Sequence, residues 1–332
     1  MKRFRFFLVV FTTVLLCVAA PVAAQTLNEF TDAGVDHKWN RAANWDLGEP
    51  TTAHNAWIPS GKTCNIPNNY TDAEARIITL DGTLNLKEDS VLTLGNAIND
   101  ESTISGTMTI GTDDDPATLK ISKKHIITGD GGTIMLKSHS VIDDNGVAGD
   151  ELTIKDNCDV SCDINHKPTA DCSLTVTGSG TINVKLYNNA FVIAEDWILT
   201  LDDHDKDSGC CGFWIAEPDG ILDVFCNVKG AGTWKAVNIY WVGTFRIGDG
   251  DSNGGCVLAT GNVLLTNGPE GQGKDWTVLI VNSNGHFCTE GSLDFRSVDR
   301  GVSHDTAPHI LVEADVVAQF GVHSCNDIQC PE

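Results

Sequence analysis

Two Asp-rich runs place side-chain oxygens at alternate positions of the chain, which is the spacing of the first half of a calcium loop. The six residues are Asp203, Asp205 and Asp207 in the first run and Asp249, Asp251 and Asn253 in the second. Ca²⁺ prefers such hard oxygen ligands, and a glycine lets the loop fold back around the ion. Only the second run has its glycine, Gly254, directly after the third ligand, which makes it the better match. Neither run has the closing glutamate, so a solvated Asp-rich turn is the alternative interpretation.

Acidic residues could also cleave polysaccharides. Glycoside hydrolases use paired carboxylates, and lyases use a basic residue beside calcium-bound acids. The residues that could supply these groups are Asp202, Asp203, Asp223, Asp249 and Arg246. In a chain with 45 Asp and Glu, some acids lie close together by chance, and no complete catalytic signature is present. We therefore keep the enzyme as an alternative and assign no catalytic residue.

A Gly-Thr dipeptide that precedes alternating apolar residues recurs along the chain and predicts short strands. Its copies start at Gly82, Gly106, Gly132, Gly180 and Gly232. Phrases of the apolar-Thr-apolar type lie between them, at Leu92, Leu152, Leu174 and Leu199, with Lys replacing Thr in the copy at Leu119. The spacings of 24 and 26 residues are typical of a three-sided coil of parallel strands, and those of 48 and 52 are interpreted as doubled periods. We expect about ten coils between Arg76 and Phe320, with Thr, Lys and Asp outside.

The first 24 residues have the features of a secretory signal peptide. Lys2, Arg3 and Arg5 precede an apolar stretch over residues 6–20 that is short for a membrane span, and small residues precede Gln25. No later segment is long and apolar enough to cross a membrane. We therefore expect an exported mature chain that begins at Gln25.

The mature chain is strongly acidic. It carries 19 Lys and Arg against 45 Asp and Glu, which is a formal net charge of −26. Such a charge repels nucleic acid and anionic lipid and attracts divalent cations. Nucleic acid is therefore excluded as a partner.

Cysteines suggest covalent cross-links in an exported protein. Eleven of the 12 cysteines remain after residue 24, and most of them form three local clusters. Export makes disulfides plausible, and an odd number leaves one thiol free or paired between chains. The connectivity stays open.

The N-terminal segment carries a resemblance to a known kind of protein. Residues 39–50 read WNRAANWDLGEP, and residues 57–61 read WIPSG. This pattern resembles the segment that leads into the β-helix of secreted bacterial repeat proteins of the autotransporter-passenger or pectin-lyase-like kind. Residues 45–121 are also similar to the eight-glycine domain of some extracellular proteins. The resemblance implies an all-β fold, a right-handed parallel β-helix (β-solenoid) with a Trp-rich N-terminal capping segment.

These observations together predict three segments and a function. Residues 1–24 are the signal peptide, residues 25–75 the N-terminal cap, and residues 76–332 the parallel β-helix with a short Cys-containing C-terminal tail.

We expect a secreted, non-catalytic structural or adhesive protein of the cell surface or matrix, stiffened by Ca²⁺. Its expected partner is a surface or matrix polysaccharide, with self-association as a further expectation. The alternatives are a carbohydrate-active β-helix enzyme and a subunit of an extracellular fibre. A candidate sugar-stacking strip comprises Trp214, Trp234, Tyr240, Trp241 and Trp276.

Overall fold

Short parallel strands make up almost all of the secondary structure. The structure, a computed structural model, describes residues 26–157, 173–195 and 198–202 throughout, and beyond them a few further residues and the strands up to Phe320. Side chains are described as far as Trp214. The helical structure in these residues is a three-residue 3₁₀ turn, Ala42–Asn44. No helix in the described part of the chain could cross a membrane.

The strands stack in three rows, and one coil is a circuit through row 1, row 2 and row 3. Row 1 is a sheet of twelve strands. They are Thr26–Glu29, His54–Ile58, Ile77–Leu80, Asp100–Ile104, Lys124–Gly129, Glu151–Asp156, Leu186–Asn189, Lys206–Ser208, Val228–Gly230, Thr244–Ile247, Val278–Val281 and His309–Val312. Each pairs in parallel with the strand of the next coil.

Row 2 lies on the next face. Its strands are Thr63–Ile66, Thr83–Leu86, Thr107–Ile110, the first parts of Thr133–Asp144 and Thr175–Ile182, Phe191–Ala194, Phe213–Ala216, Thr233–Ala236, Cys256–Ala259, His286–Thr289 and Val317–Phe320. Row 3 comprises Ala73–Ala75, Val91–Leu94, Thr118–Ile121, the second parts of the same two long strands, Ile198–Leu201, Ile221–Val224, Ile239–Trp241, Val263–Thr266 and Leu293–Arg296. Because the two long strands continue from row 2 into row 3, these rows form one 19-stranded sheet.

The predicted all-β class and the parallel strand ladder are confirmed, and the arrangement is consistent with a β-solenoid. Ten row-1 strands follow Arg76. The parallel ladder starts earlier than that residue, because Thr26–Glu29 already pairs in parallel with His54–Ile58. Residues 26–75 therefore contribute strands to all three rows.

Alternation of side chains builds the interior. In strands such as Thr83–Leu86 and Val91–Leu94, every second residue is buried, as a period of two requires. The buried members of row 2 stack from coil to coil with 0–1% exposure; they are Cys64, Leu84, Met108, Ile134 and Val176. Burial of this continuous apolar column is the main stabilising term of such a ladder.

The sequence phrases mark strands but not rows. Thr83, Thr107 and Thr133 each begin a strand of row 2, whereas Thr181 is in register with Val141 in row 3. The interpretation of Gly132 and Gly180 as equivalent positions two coils apart was therefore wrong. The row-2 position of that coil belongs to Thr175, which is in register with Thr133.

Close packing between coils explains the glycine of the phrase. A Cβ built on Gly106 would lie 1.9 Å from the carbonyl oxygen of Gly82, and one on Gly132 would lie 2.1 Å from that of Ile104. The Gly82 carbonyl also accepts a hydrogen bond of 3.0 Å from the Thr107 N–H. Glycine at this corner therefore lets the backbones of successive coils touch.

An aromatic cluster in the N-terminal segment packs against the first coil. Trp39 is fully buried and Trp45 is 4% exposed, with their ring centroids 4.9 Å apart at an angle of 72°. The Trp45 Nε1–H donates to the Trp39 carbonyl over 2.8 Å, and Phe30 contacts Trp45 edge-on at 5.1 Å. The Trp39 N–H donates to the carbonyl of Asn65 in row 2. The cluster thus joins the apolar interior at the first coil.

Candidate functional site

Row 2 presents a regular polar face to the outside over five successive coils. The first outward position of its strand is threonine in every one of these coils: Thr63, Thr83, Thr107, Thr133 and Thr175. Two residues further on, the outward positions of the first four coils form a second column: Asn65, Asn85, Thr109 and Met135. We call these nine residues the threonine face. The fifth member of the second column, Thr177, is buried and is left out.

The spacing within the threonine face is set by β-geometry. Neighbouring coils are about 4.8 Å apart, and residues i and i+2 of a strand are about 6.6 Å apart. The register from Thr63–Ile66 to the start of Thr133–Asp144 runs without a shift. The buried apolar column lies directly beneath it. The face is therefore a rigid two-dimensional array.

No charged residue belongs to the threonine face, although one residue in five of the chain is charged. The other two rows differ in this respect. Row 1 carries ion pairs between coils, with Lys155 Nζ 3.1 Å from Glu101 and Lys185 Nζ 2.9 Å from Glu151. Row 3 carries Lys120 in register with Asp143. The absence of charge is thus a property of the threonine face itself, and an ion pair between Lys137, two residues after Met135 on the same strand, and Asp113 lies at its edge.

Side chains of the threonine face are partly exposed, because each is flanked by its neighbours in the coils above and below. The Asn85 amide donates to the Asn65 Oδ1 over 3.0 Å, which makes a short asparagine ladder. Within the described residues, no hydrogen bond of the hydroxyls of Thr83, Thr107 and Thr133 to another protein group is seen. These hydroxyls can both donate and accept.

The Gly-Thr phrase is the sequence signal of this face, although as a local pattern it predicts only strands. Threonine follows the corner glycine because it occupies the first outward position of the strand. Threonine also has a high strand propensity, so its recurrence alone does not separate a structural role from a binding role. The register adds that the threonines align on one row.

One of the six predicted calcium ligands lies in the described residues. Asp207 is part of strand Lys206–Ser208, in register with Tyr187 and Lys229. The ammonium of its buried neighbour Lys206 donates to the carbonyl oxygens of Asp202 and His204 over 2.7 and 2.6 Å. A cationic group of the chain itself therefore binds two backbone oxygens of the first Asp-rich run. Asp203, Asp205, Asp249, Asp251 and Asn253 lie outside the described residues, and calcium binding stays a prediction.

The residues considered for polysaccharide cleavage are distributed over different rows. Asp223 is in register with Thr200 in row 3, and Arg246 is in register with Ile280 in row 1. Asp202 follows a row-3 strand, and its N–H donates to the Ile182 carbonyl. Trp214, which belonged to the candidate sugar-stacking strip, is fully buried. It therefore contributes to the core and cannot stack on a sugar at the surface.

In comparisons with known proteins, the chain matches no protein-family model, no curated protein and no solved structure.

A polar cluster inside the ladder joins three coils. The Ser102 Oγ lies 2.8 Å from the His125 Nε2 and accepts a hydrogen bond of 2.9 Å from the Ile78 N–H. Ser102 and His125 are 0% and 1% exposed, so this serine–histidine pair is not accessible to a substrate. Asp100, on the same strand as Ser102 and in register with His125, is held by Arg76 at 2.8 Å and by the N–H groups of its preceding loop. The cluster therefore has a structural role.

We expect this buried histidine to make the protein less stable in mild acid. Burial lowers the pKa of His125 from 6.5 to about 4, against the opposing effect of the Asp100 and Glu101 carboxylates. The unfolded chain therefore binds more protons than the folded one between these pH values, and the free energy of unfolding falls as the pH decreases through that window. The full effect is about 3 kcal/mol, at 1.36 kcal/mol per pKa unit. Urea unfolding at pH 7.5 and pH 4.5 measures it.

Two variants isolate this contribution from that of the carboxylates. His125→Leu should lose the histidine part of the pH dependence, whereas replacement of the exposed His139 by asparagine should leave the dependence as it is. If the free energy of unfolding decreases by the same amount between pH 7.5 and pH 4.5 in the wild type and in His125→Leu, His125 is not responsible for the loss of stability in acid.

Cys64 is a free thiol in the apolar column of row 2. Burial raises the pKa of this thiol well above its usual value, with a smaller contribution from the Asp32 carboxylate. It therefore behaves as a small apolar side chain. The predicted cysteine clusters lie outside the residues whose side chains are described, and their pairing stays a prediction.

Proposed function

We propose that the chain is a secreted, non-catalytic adhesive scaffold that docks through the threonine face on an extended, uncharged surface outside the cell. The observation that carries this proposal is the repetition of threonine at one outward position over five coils, in register and without a charge. A repeating rigid face can match a repeating ligand without reorganising, which lowers the entropic cost of binding.

The proposal includes the finer features expected from the sequence. We propose that the ladder is a right-handed parallel β-helix, since crossovers between parallel strands are right-handed in nearly all known cases. Residues 1–24 would direct export, and the aromatic cluster around Trp39 would close the N-terminal end of the interior. A neutral polysaccharide of the cell surface or matrix is one surface of the required kind.

Adsorption to uncharged surfaces tests this function. The mature chain, residues 25–332, would be incubated with cellulose, chitin and ice, and the bound fraction measured. We expect adsorption to at least one of them, and a loss of about tenfold or more in affinity for the double variant Thr107→Lys/Thr133→Lys, which places two ammonium groups on the threonine face.

The chain offers a matched control on another row. Thr79 and Thr103 are neighbours in register on the outward side of row 1, so Thr79→Lys/Thr103→Lys introduces the same charge in adjacent coils. This control should adsorb like the wild type. Equal losses in both double variants, or no adsorption of the wild type to any of the three surfaces, would contradict the proposal.

A further inference from the structure

The threonine face carries three properties that restrict its ligand: two-dimensional regularity, absence of charge, and absence of aromatic side chains. Sugar-binding surfaces rely on aromatic rings that stack on the pyranose, and none of the nine face residues is aromatic. A divalent cation would need carboxylates, and the face has none. The remaining ligand is a solid that repeats in two directions and binds through hydroxyl and methyl groups.

The size of the face also bears on self-association. Nine positions at spacings of about 4.8 and 6.6 Å cover roughly 300 Å². A stable protein–protein interface needs about 800 Å² on each partner. Docking of a second copy on the threonine face alone would therefore be weak.

Ordered water fits all of these properties. We infer that the threonine face binds the surface of ice, an inference that rests on the proposed function and names the surface on which the scaffold docks. Each threonine hydroxyl can donate to one water molecule and accept from another, and bridging waters of this kind hydrogen-bond almost as well as a direct contact. The neighbouring methyl group restricts the orientation of the water beside it. A rigid array of such groups holds water molecules at regular intervals.

Charge is the property that separates this face from the rest of the surface. An ammonium or a carboxylate binds its own strongly held hydration shell, whose geometry differs from that of an ice lattice. The ion pairs Lys155–Glu101 and Lys185–Glu151 put such shells on row 1. On row 2, the corresponding outward positions are Thr, Asn and Met over the first four coils. The two columns of the threonine face can therefore order water without a charged group between their members, and row 1 cannot.

Ice growth in the presence of the mature chain tests the inference. We expect the wild type to slow the recrystallisation of a frozen sucrose film, to shape single crystals into faceted forms, and to enter slowly growing ice. Thr107→Lys/Thr133→Lys should reduce the inhibition of recrystallisation by about tenfold or more on a concentration scale. The row-1 control Thr79→Lys/Thr103→Lys should retain it.

A far-ultraviolet circular dichroism spectrum and a melting curve of each variant verify that the fold is intact. The double variant Thr107→Ser/Thr133→Ser is a milder substitution, which keeps the hydroxyl groups and removes the methyl groups. Retained ice activity in the folded face variant would overturn the inference. So would exclusion of the wild type from ice combined with face-dependent adsorption to cellulose or chitin, and in that case the proposed function would stand. If the wild type binds none of the three surfaces, both fail.

Discussion

Replacement of Gly106 by alanine is expected to destabilise the protein by about 3 kcal/mol or more, or to prevent folding. The added Cβ would lie 1.9 Å from the Gly82 carbonyl oxygen, and that oxygen accepts the Thr107 N–H of the next coil. Both contacts are made by backbone, so a side-chain rotation cannot relieve the clash. Overpacking of this kind typically costs 1–3 kcal/mol and more where the surroundings cannot move. Equilibrium unfolding in urea measures the change.

Gly146 provides a matched glycine-to-alanine control. Its φ is +73°, and nothing lies within 4 Å of a Cβ built there. Alanine at this position should cost only the strain of the left-handed backbone, about 1–2 kcal/mol. A loss for Gly106→Ala no larger than that for Gly146→Ala would show that the coils are not packed as closely as the structure has them.

Replacement of Trp39 by alanine is the second large effect, with an expected loss of about 3–5 kcal/mol. Trp39 is fully buried, packs edge-on against Trp45, and belongs to the same apolar cluster as the interior of the coils. Its removal opens a cavity at the end of the ladder, where fewer neighbouring coils can collapse into the space. Thermal and urea unfolding of the variant measure the loss.

Leu47→Ala is the control within the same segment, because Leu47 is 50% exposed. It should change the free energy of unfolding by less than about 0.5 kcal/mol. Similar small losses for both variants would show that the aromatic cluster does not stabilise the first coil. A second unfolding transition in Trp39→Ala alone would instead indicate that the N-terminal segment unfolds separately from the rest.

Much of the architecture could be predicted from local pattern. Alternating apolar residues bounded by Gly and Asp predict short strands, and strands such as Thr83–Leu86 and Thr107–Ile110 lie where the Gly-Thr phrase places them. The parallel pairing followed from the period of about 24 residues. These features depend on residues close in sequence, and for that reason a single sequence contains them.

Assignment of strands to rows could not be predicted in the same way. The Gly180 copy of the phrase lies at the corner between row 2 and row 3, where a Cβ would approach the Ser140 carbonyl at 2.5 Å. The phrase therefore requires a close approach of backbones, and more than one corner of the coil has such an approach. The corner at which a given copy of the phrase lies depends on the lengths of the loops before that copy, and these lengths vary between coils.

The burial of the polar groups inside the ladder could be predicted from the sequence even less than the assignment of strands to rows. His125, Ser102 and Asp100 occupy alternate positions that a sequence pattern assigns to solvent or to a turn, yet all three are buried. Hydrogen bonds from neighbouring coils, such as that from the Ile78 N–H to Ser102, compensate for their loss of water. Such partners are 23 or 24 residues apart in sequence and become neighbours only when the coils stack.

The sequence alone determined that this chain is all-β, built of short parallel strands, and strongly acidic, because strand propensity, period and charge are local or additive properties. The tertiary structure decided which outward residues share a face. Register between coils aligns Thr63, Thr83, Thr107, Thr133 and Thr175 in one column without a charged residue among them. Residues of different coils lie side by side on one face only after the coils have stacked in a fixed register, and for that reason the face could not be predicted from local sequence.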